Sequence, residues 1–238
     1  MKNPIISIII PVLNEAKNIQ YFFEQFEPCW EIEIIIVDGG STDKTTAKIA
    51  ELATSDRQIK LVTNSQLGRA NQMNCGAALA TGEILLFLHA DTILPRNYQQ
   101  VIQNILNQKD VIVGAFQLSI NSPKKSLSLV TKIVNLRSRF LSLPYGDQGF
   151  FITKNNFNYL GGFADLPIME DFNFIQKAKR YGKILIADSA VITSPRRWQK
   201  LGIIKTTVIN QLIIIGYYLK ISPERLRKFY HRAKTTNK

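Results

Sequence analysis

The sequence predicts an α/β fold: a doubly wound, mostly parallel sheet with helices on both faces. Three observations carry this expectation. Strand-like and helix-like segments alternate through the N-terminal part of the chain. The strand segments are apolar on both faces rather than on every second residue, as a sheet covered by helices on both sides requires. Clusters of polar residues follow the carboxyl ends of these strands, where doubly wound sheets bind ligands.

The elements are read in order. Ile5–Ile10 is the first strand, and Glu15–Phe26 has apolar residues at helical spacing (Ile19, Phe22, Phe23, Phe26). Glu33–Val37 is a β-branched strand ending at Asp38; Ser41-Thr42-Asp43 then offers an N-cap to a helix over Thr45–Thr54. A third strand at Ile59–Thr63, a helix over Ala70–Ala80 and a fourth strand at Ile84–Leu88 complete a Rossmann-like nucleotide-binding half. Beyond Pro95 the pattern mixes. Strands are expected at Val111–Ile120, Gly149–Thr153, Ile184–Ala187 and Val191–Thr193. Helices are expected at Leu127–Leu141 and Glu170–Tyr181, the latter stopped by Gly182. No internal repeat or linker is evident, so residues 1–198 read as one domain and 199–238 as a helical, basic C-terminal extension.

Composition narrows the classes. At 238 residues the chain can bury a sizeable core, and a hydrophobic fraction of 45% argues against global disorder. Two cysteines, Cys29 and Cys75, cannot build a disulfide framework, and two histidines, His89 and His231, cannot build a His-rich metal cluster. The formal net charge of +12 favours anionic partners, and much of the excess lies between Arg196 and Lys238. The apolar run Ile5–Val12 is short and holds a proline, so it reads as a buried strand and not as a signal peptide. Leu201–Leu219 is rich in Ile and Leu but holds Lys205, Asn210 and Gln211; the expectation is an amphipathic helix that packs on the domain or lies on a membrane rather than one that spans it.

Several residues have the chemistry of a site. Asp38, at a strand end before Gly39-Gly40, suits hydrogen bonds from a ribose or base, the glycines allowing close backbone approach. Asp91, in His89-Ala90-Asp91, suits one hard cation whose other ligands are phosphate oxygens and water. The bland readings are a capped turn, a helix N-cap and a structural histidine. Glu170-Asp171 opens a helix pattern, where the dipole favours acids in any case; the functional reading is a general base and an acceptor-binding neighbour. In Ser194-Pro195-Arg196-Arg197-Trp198 two guanidinium groups could neutralise a diphosphate while Trp198 packs over an acceptor. Arg69, beside a helix start, suits an anion.

In this order the motifs resemble family 2 glycosyltransferases, which have the GT-A fold. Pro11-Val12-Leu13-Asn14-Glu15 looks like that family's first-strand signature, Val37–Asp43 like its nucleotide-binding turn, and His89-Ala90-Asp91 stands in place of its metal-binding D-x-D. Glu170-Asp171 resembles the E-D motif of the catalytic base, and Ser194–Trp198 the Q/R-x-x-R-W motif. Two departures are His89 for the first aspartate of D-x-D and Ser194 for the residue that opens the last motif. Gly68-Arg69-Ala70-x-Gln72-Met73-Asn74, His89-Ala90-Asp91, Tyr145-Gly146-Asp147-Gln148 and Arg196-Arg197-Trp198 together resemble a subgroup labelled arsenosugar-biosynthesis glycosyltransferases.

The resemblance implies an inverting, hexosyltransferase-like reaction between a nucleoside-diphosphate sugar, with UDP favoured, and an acceptor hydroxyl. Asp171 would be the base. Pro11, Glu15, Asp38, Arg69, His89 and Asp91 would bind the nucleotide, with Mn²⁺ or Mg²⁺ on Asp91. Arg196 and Arg197 would hold the diphosphate, and Asp147, Gln148, Glu170 and Trp198 the acceptor. The expected location is cytoplasmic, peripheral at the inner face of an anionic membrane. Alternatives are a sugar-phosphate nucleotidyltransferase of similar fold, which lacks support from an early Gly-rich loop, and a basic nucleic-acid or membrane binder without catalysis. No recognition module is legible, so a nucleic-acid partner is not expected.

Overall fold

The computed structural model describes residues 5–27, 29–53, 59–63 and 68–235, without the side chains of Lys125, Arg197, Lys234 and Thr235. Thr54, the expected end of the second helix, lies outside the described residues. In chain order the first half runs β1 (Ile6–Val12), α1 (Ile19–Phe23), β2 (Ile32–Asp38), α2 (Thr45–Leu52), β3 (Ile59–Thr63), α3 (Arg69–Leu79), β4 (Ile84–Phe87) and β5 (Thr92–Ile93). The rest runs α4 (Tyr98–Leu106), β6 (Val111–Ile120), α5 (Lys125–Leu141), a 3₁₀ turn (Gly146–Gln148), β7 (Phe150–Thr153), α6 (Lys154–Tyr159), α7 (Glu170–Ala178), β8 (Lys183–Thr193), α8 (Arg196–Leu201), α9 (Ile203–Tyr218) and α10 (Pro223–Thr235).

All eight strands form one sheet in the order β3-β2-β1-β4-β7-β6-β8-β5. The β3-β2-β1-β4 half is parallel throughout. Its chain direction around the sheet reverses between β1 and β4, which opens a crevice beyond their carboxyl ends. The other half is mixed: β7 is antiparallel to both β4 and β6, β6 and β8 are parallel, and β5 is antiparallel to β8. The alternation of strand and helix thus specifies the first half. The antiparallel insertion of β7 depends on pairing between segments far apart in sequence and is not periodic.

The core lies on both faces of the sheet. One cluster gathers Ile8, Ile10, Phe22, Phe23, Leu86, Phe116 and Phe151, and the other gathers Ile9, Ile35, Val37, Leu85, Phe150, Ile152 and Phe174. Neighbouring residues of β1 go to opposite clusters, which is why the strand is apolar at nearly every position. The exception is Ser7, whose hydroxyl donates to the buried Glu33 carboxylate at 2.5 Å. That carboxylate also accepts from Thr81 N at 2.5 Å, from Gly82 N at 3.1 Å and from Lys60 Nζ at 2.9 Å. It ties β1, β2, β3 and the turn into β4 together at the edge of the sheet away from the crevice.

Pro11 lies inside β1, not after it, opposite Val37 of β2. Pairing of β1 with β4 stops at Ile9 and Phe87, so the N–H that Pro11 lacks falls on the side where β4 has already ended. The expected helix Glu15–Phe26 shrinks to Ile19–Phe23. Asn14 adopts a left-handed conformation (φ 56°), and the Glu15 amide donates to Thr45 Oγ1 at 2.9 Å, so this stretch is a loop pinned to the next motif. The two expected strands around residue 188 are one strand, β8, whose pairing with β6 shifts register between Ala115 and Gln117. Asp188 is exposed at that irregularity, so its polarity marks a bulge rather than a strand end. Helix α7 stops at Ala178 without using Gly182 as its cap. Gly182 is required instead because a Cβ there would sit 2.6 Å from the Asp110 carbonyl.

Helix α9 departs from the amphipathic expectation. Thr206, Ile209, Ile213 and Gly216 face inward, yet Ile204, Val208, Leu212, Ile215 and, just beyond its end, Leu219 form an exposed apolar stripe. No helix among the described residues is long and apolar enough to cross a membrane. Of the basic residues of the C-terminal region, Arg225, Arg227, Lys228 and Arg232 lie on α10, which packs Leu226 against Gly216. A second exposed stripe runs along α5 through Leu129, Ile133, Leu136 and Phe140 at the spacing of one helix face.

Candidate active site

The first strand end and the second are locked to one another. Asn14 N donates to Ser41 Oγ at 2.9 Å, and Thr42 N donates to Asn14 Oδ1 at 2.9 Å. Gln72, buried on α3, reaches across with Nε2 to the carbonyls of Val12 (2.9 Å) and Val37 (2.7 Å). A Cβ on Gly39 would strike that amide at 2.8 Å, so the first glycine of the pair leaves room for Gln72. Gly40, at φ 90°, makes the turn.

Asp38 is 2% exposed at the end of β2. Its Oδ2 accepts from Gly40 N and Ser41 N, both at 3.0 Å. Its Oδ1 is buried and has no hydrogen-bond partner among the described residues. A buried acceptor left over in this way is the kind of group a bound ligand's donor satisfies.

The loop after β4 faces the same crevice. Arg196, at the start of α8, donates through Nη1 to Glu15 Oε2 and through Nη2 to Asp91 Oδ2, each at 3.1 Å. Burial lowers the Arg196 pKa, but its hydrogen bonds to Glu15 and Asp91 and their charges outweigh this and raise the value. One guanidinium therefore bridges carboxylates from the first and fourth strand ends. Asp91 opens both onto this side and onto a larger cavity. Among the described residues no three His, Cys, Asp or Glu side chains gather into a metal cage. A single accessible carboxylate fits a cation that arrives on a diphosphate and takes its remaining ligands from phosphate and water.

The larger cavity has a volume of about 510 Å³. Arg69, His89, Asp91, Arg137, Asp147, Glu170, Asp171 and Trp198 all line it. Glu170 and Asp171 begin α7 behind Met169, which holds a left-handed conformation (φ 69°) uncommon for a non-glycine residue. This turns the two acids apart. Glu170, 2% exposed, makes an ion pair with Arg69 Nε, while Arg69 Nη1 lies 3.2 Å from His89 Nε2. Burial pushes the Glu170 pKa up, more than the Arg69 charge pulls it down, and the Asp171 charge adds to the rise. Asp171 Oδ2 accepts from Gly146 N at 2.8 Å and lies 3.9 Å from Arg69 Nη2; Oδ1 accepts from Phe172 N at 2.7 Å. The Tyr145–Gln148 segment thus holds the Asp171 carboxylate in place from above its helix start.

The structure adds to what was expected of four site residues. Gln148 is fully buried, not an exposed acceptor contact: Nε2 donates to Phe116 O at 2.9 Å, and Oε1 accepts from Tyr145 N at 3.2 Å. It braces the loop that positions Asp171. Glu170 pairs with Arg69, and Arg69 reaches both acids while keeping its place on the cavity wall. Trp198 is 9% exposed and belongs to the core while still lining the cavity. Arg197 lies on α8, but its side chain is outside what is described. Two contributors escaped the sequence reading. Gln72 stands within the Gly68–Asn74 run but was given no role of its own, and Arg137 reads as an ordinary arginine of α5.

An α/β sheet with its strand order reversed at β1 and β4, and an acid-lined crevice at that reversal, defines a nucleotide-binding class of protein. The family model for glycosyl transferase family 2 matches residues 7–164, more than half of the chain, and the chain belongs to that family. A "PGL/p-HBAD biosynthesis glycosyltransferase" of Mycobacterium bovis (strain BCG / Pasteur 1173P2) is 39% identical over 98 residues, 40% of this chain and 38% of the relative. An uncharacterized glycosyltransferase of Nostoc sp. is 30% identical over 145 residues, 54% of this chain and 45% of the relative. The matched region thus spans less than half of either relative. Among solved structures, a mannosyltransferase from Pyrobaculum calidifontis in complex with GDP-Man and Mn²⁺ superposes with a TM-score of 0.67 at 20% identity, covering 98% of this chain and 74% of that one. S. aureus TarS residues 1–349 in complex with UDP gives 0.63 at 18% identity, covering 82% and 62%. These neighbours establish the GT-A fold.

Proposed function

We propose that this protein is an inverting glycosyltransferase that moves a sugar from a nucleoside-diphosphate sugar, with UDP the favoured nucleotide, to an acceptor hydroxyl. The observation that carries the reading is the placement of Asp171 and Asp91 on one cavity, with Arg196 beside Asp91. The same fold in the mannosyltransferase that binds GDP-Man and Mn²⁺, and in TarS that binds UDP, supports it.

In this reading the nucleoside lies at the reversal between β1 and β4. Asp38 Oδ1 accepts a donor from the ribose or base, flanked by Pro11 and Glu15. The diphosphate lies against Arg196, with Arg197 on the same helix. Asp91 would hold a divalent cation, Mn²⁺ or Mg²⁺, which when bound neutralises charge on the diphosphate. Asp171 takes the proton from the acceptor hydroxyl. The acceptor oxygen forms its bond to the anomeric carbon as the bond from that carbon to the diphosphate oxygen breaks, and the leaving electrons pass to the diphosphate. A single in-line displacement inverts the anomeric configuration. The Arg69–Glu170 pair and the Gly146 amide fix Asp171 in the productive orientation, and His89 touches Arg69 at the cavity wall. Asp147 and Trp198 line the acceptor side.

The reading includes a peripheral association with an anionic membrane surface at its cytoplasmic face. Its support is the apolar stripes on α5 and α9 together with Arg225, Arg227, Lys228 and Arg232 of α10, a combination of apolar area and positive charge that suits anionic lipid. Flotation with phosphatidylglycerol vesicles is expected to carry the wild-type protein, and Val208→Asp/Leu212→Asp to release it. Equal flotation of both removes the membrane from the reading.

The function itself is tested by nucleotide binding. Thermal shift with UDP, GDP and their sugar conjugates, with Mn²⁺ present, is expected to show stabilisation by at least one. Stabilisation by none of the panel would sink the transferase reading.

A further inference from the structure

Four described guanidinium groups border the site, Arg69, Arg137 and Arg227 on the cavity and Arg196 beside it, and their partners differ. Arg69 is neutralised by Glu170, and Arg196 by Glu15 and Asp91. Arg137, on the inner side of α5, is not neutralised. Among the described residues no carboxylate lies within 4.0 Å of it. Its Nε is buried without a hydrogen-bond partner, and Nη2 makes one long contact, 3.4 Å, to Ser138 Oγ. The guanidinium instead stacks on the Tyr145 ring at 3.5 Å from the centroid. Burial lowers its pKa, and Tyr145, Asp147 and Asp171 offset this only through space.

A planar cation held over an aromatic ring can still offer its terminal donors to a bidentate partner, the geometry that suits carboxylate or phosphate. Desolvating such a cation without a counter-ion is costly, so a fold that keeps one at a cavity wall retains the means to bind an anion there. The stacking partner belongs to the loop whose Gly146 amide holds Asp171, so an anion on Arg137 is registered against the base. The cavity wall also carries an apolar part, Val130, Ile133 and Val134 from α5 and Ile213 and Ile214 from α9, beside the polar Asn210, Gln211 and Arg227.

We propose that Arg137 is the receptor for an anionic group, carboxylate or phosphate, on the acceptor substrate, with Tyr145 holding the guanidinium in position. This rests on the transferase reading for the word acceptor. The donor diphosphate is assigned to Arg196 and Asp91 in that reading, and Arg196 does not line the cavity that Arg137 lines. The acceptor therefore belongs to the class of anionic molecules with a hydroxyl and an apolar portion.

The test measures dissociation constants of phenyl phosphate, benzoate and neutral benzyl alcohol by ligand-observed NMR on the full chain, with UDP and Mn²⁺ at saturation to fill the diphosphate position. Wild-type protein is expected to bind either anion at least tenfold more tightly than benzyl alcohol. Arg137→Met is expected to lose at least tenfold for the anions, about 1.4 kcal/mol, while its affinity for UDP is unchanged. Arg137→Lys keeps the charge without the planar fork and is expected to fall between the two; it carries the test if Arg137→Met does not fold. Anion affinity indifferent to both substitutions overturns the proposal. A parallel loss of UDP affinity also overturns it, because it moves Arg137 into the donor site. If no nucleotide binds the wild type but phenyl phosphate still depends on Arg137, the transferase reading fails and the anion site stands.

Discussion

Glu33 gives the sharpest test of how the sheet is held. Its carboxylate is 1% exposed and accepts from Ser7, Thr81, Gly82 and Lys60. Burial alone would raise its pKa, but the hydrogen bonds from Ser7, Lys60 and Thr81 reverse this and lower it from 4.5 to about 2. A carboxylate with a depressed folded-state pKa contributes stability above its unfolded value, and that stability is lost as pH falls through the folded value. The gap between 4.5 and about 2 corresponds to about 3 kcal/mol at neutral pH, at about 1.4 kcal/mol per tenfold in proton affinity. By the same linkage about 1.4 kcal/mol remains at pH 3, and almost none near pH 2. Glu33→Gln keeps the shape and removes the charge. Chemical denaturation of both proteins should show a difference of about 3 kcal/mol at pH 7, or roughly 6–12 °C in Tm for a chain of this size, shrinking through the window from pH 4.5 to 2. A difference that stays constant from pH 7 to pH 3 would refute the assignment of this stability to the Glu33 charge.

Two further outcomes follow from packing and charge. Gly114→Ala places a methyl group inside the Phe151 ring, which is fully buried, so it should cost about 2 kcal/mol or more; a Tm equal to wild type contradicts the packing. Arg196→Met removes the charge-assisted partner of both Glu15 and Asp91, and calorimetry should show UDP binding weakened by about 1.5–3 kcal/mol, whereas unchanged affinity places the diphosphate elsewhere.

Legibility in the sequence follows locality. The parallel half of the sheet was readable because each strand is a short apolar run beside an amphipathic helix, and the crevice residues follow those runs directly. The bridge from Arg196 to Glu15 and Asp91 joins three motifs that were each visible, but their meeting is a property of the fold. Arg69 and Glu170 are 101 residues apart, and nothing local tells either that its partner exists. Gln148 shows the opposite failure. Its polar side chain beside Asp147 looked like a ligand contact, yet its amide is spent on Phe116 and Tyr145, because a buried loop must satisfy its own backbone. Helix α9 was expected to be amphipathic, but its apolar residues cover two faces, a pattern that periodicity cannot distinguish from a core helix.

The central claim, that Asp171 is the base of a glycosyl transfer, is tested most directly by Asp171→Asn. The substitution keeps the side chain's size and its contact with Gly146 while removing the proton acceptor. Slow hydrolysis of the nucleotide sugar that most stabilises the wild type, with water as acceptor, should fall by about 10²–10⁴-fold while nucleotide affinity is preserved. Near-normal turnover in Asp171→Asn with that nucleotide still bound would contradict the account.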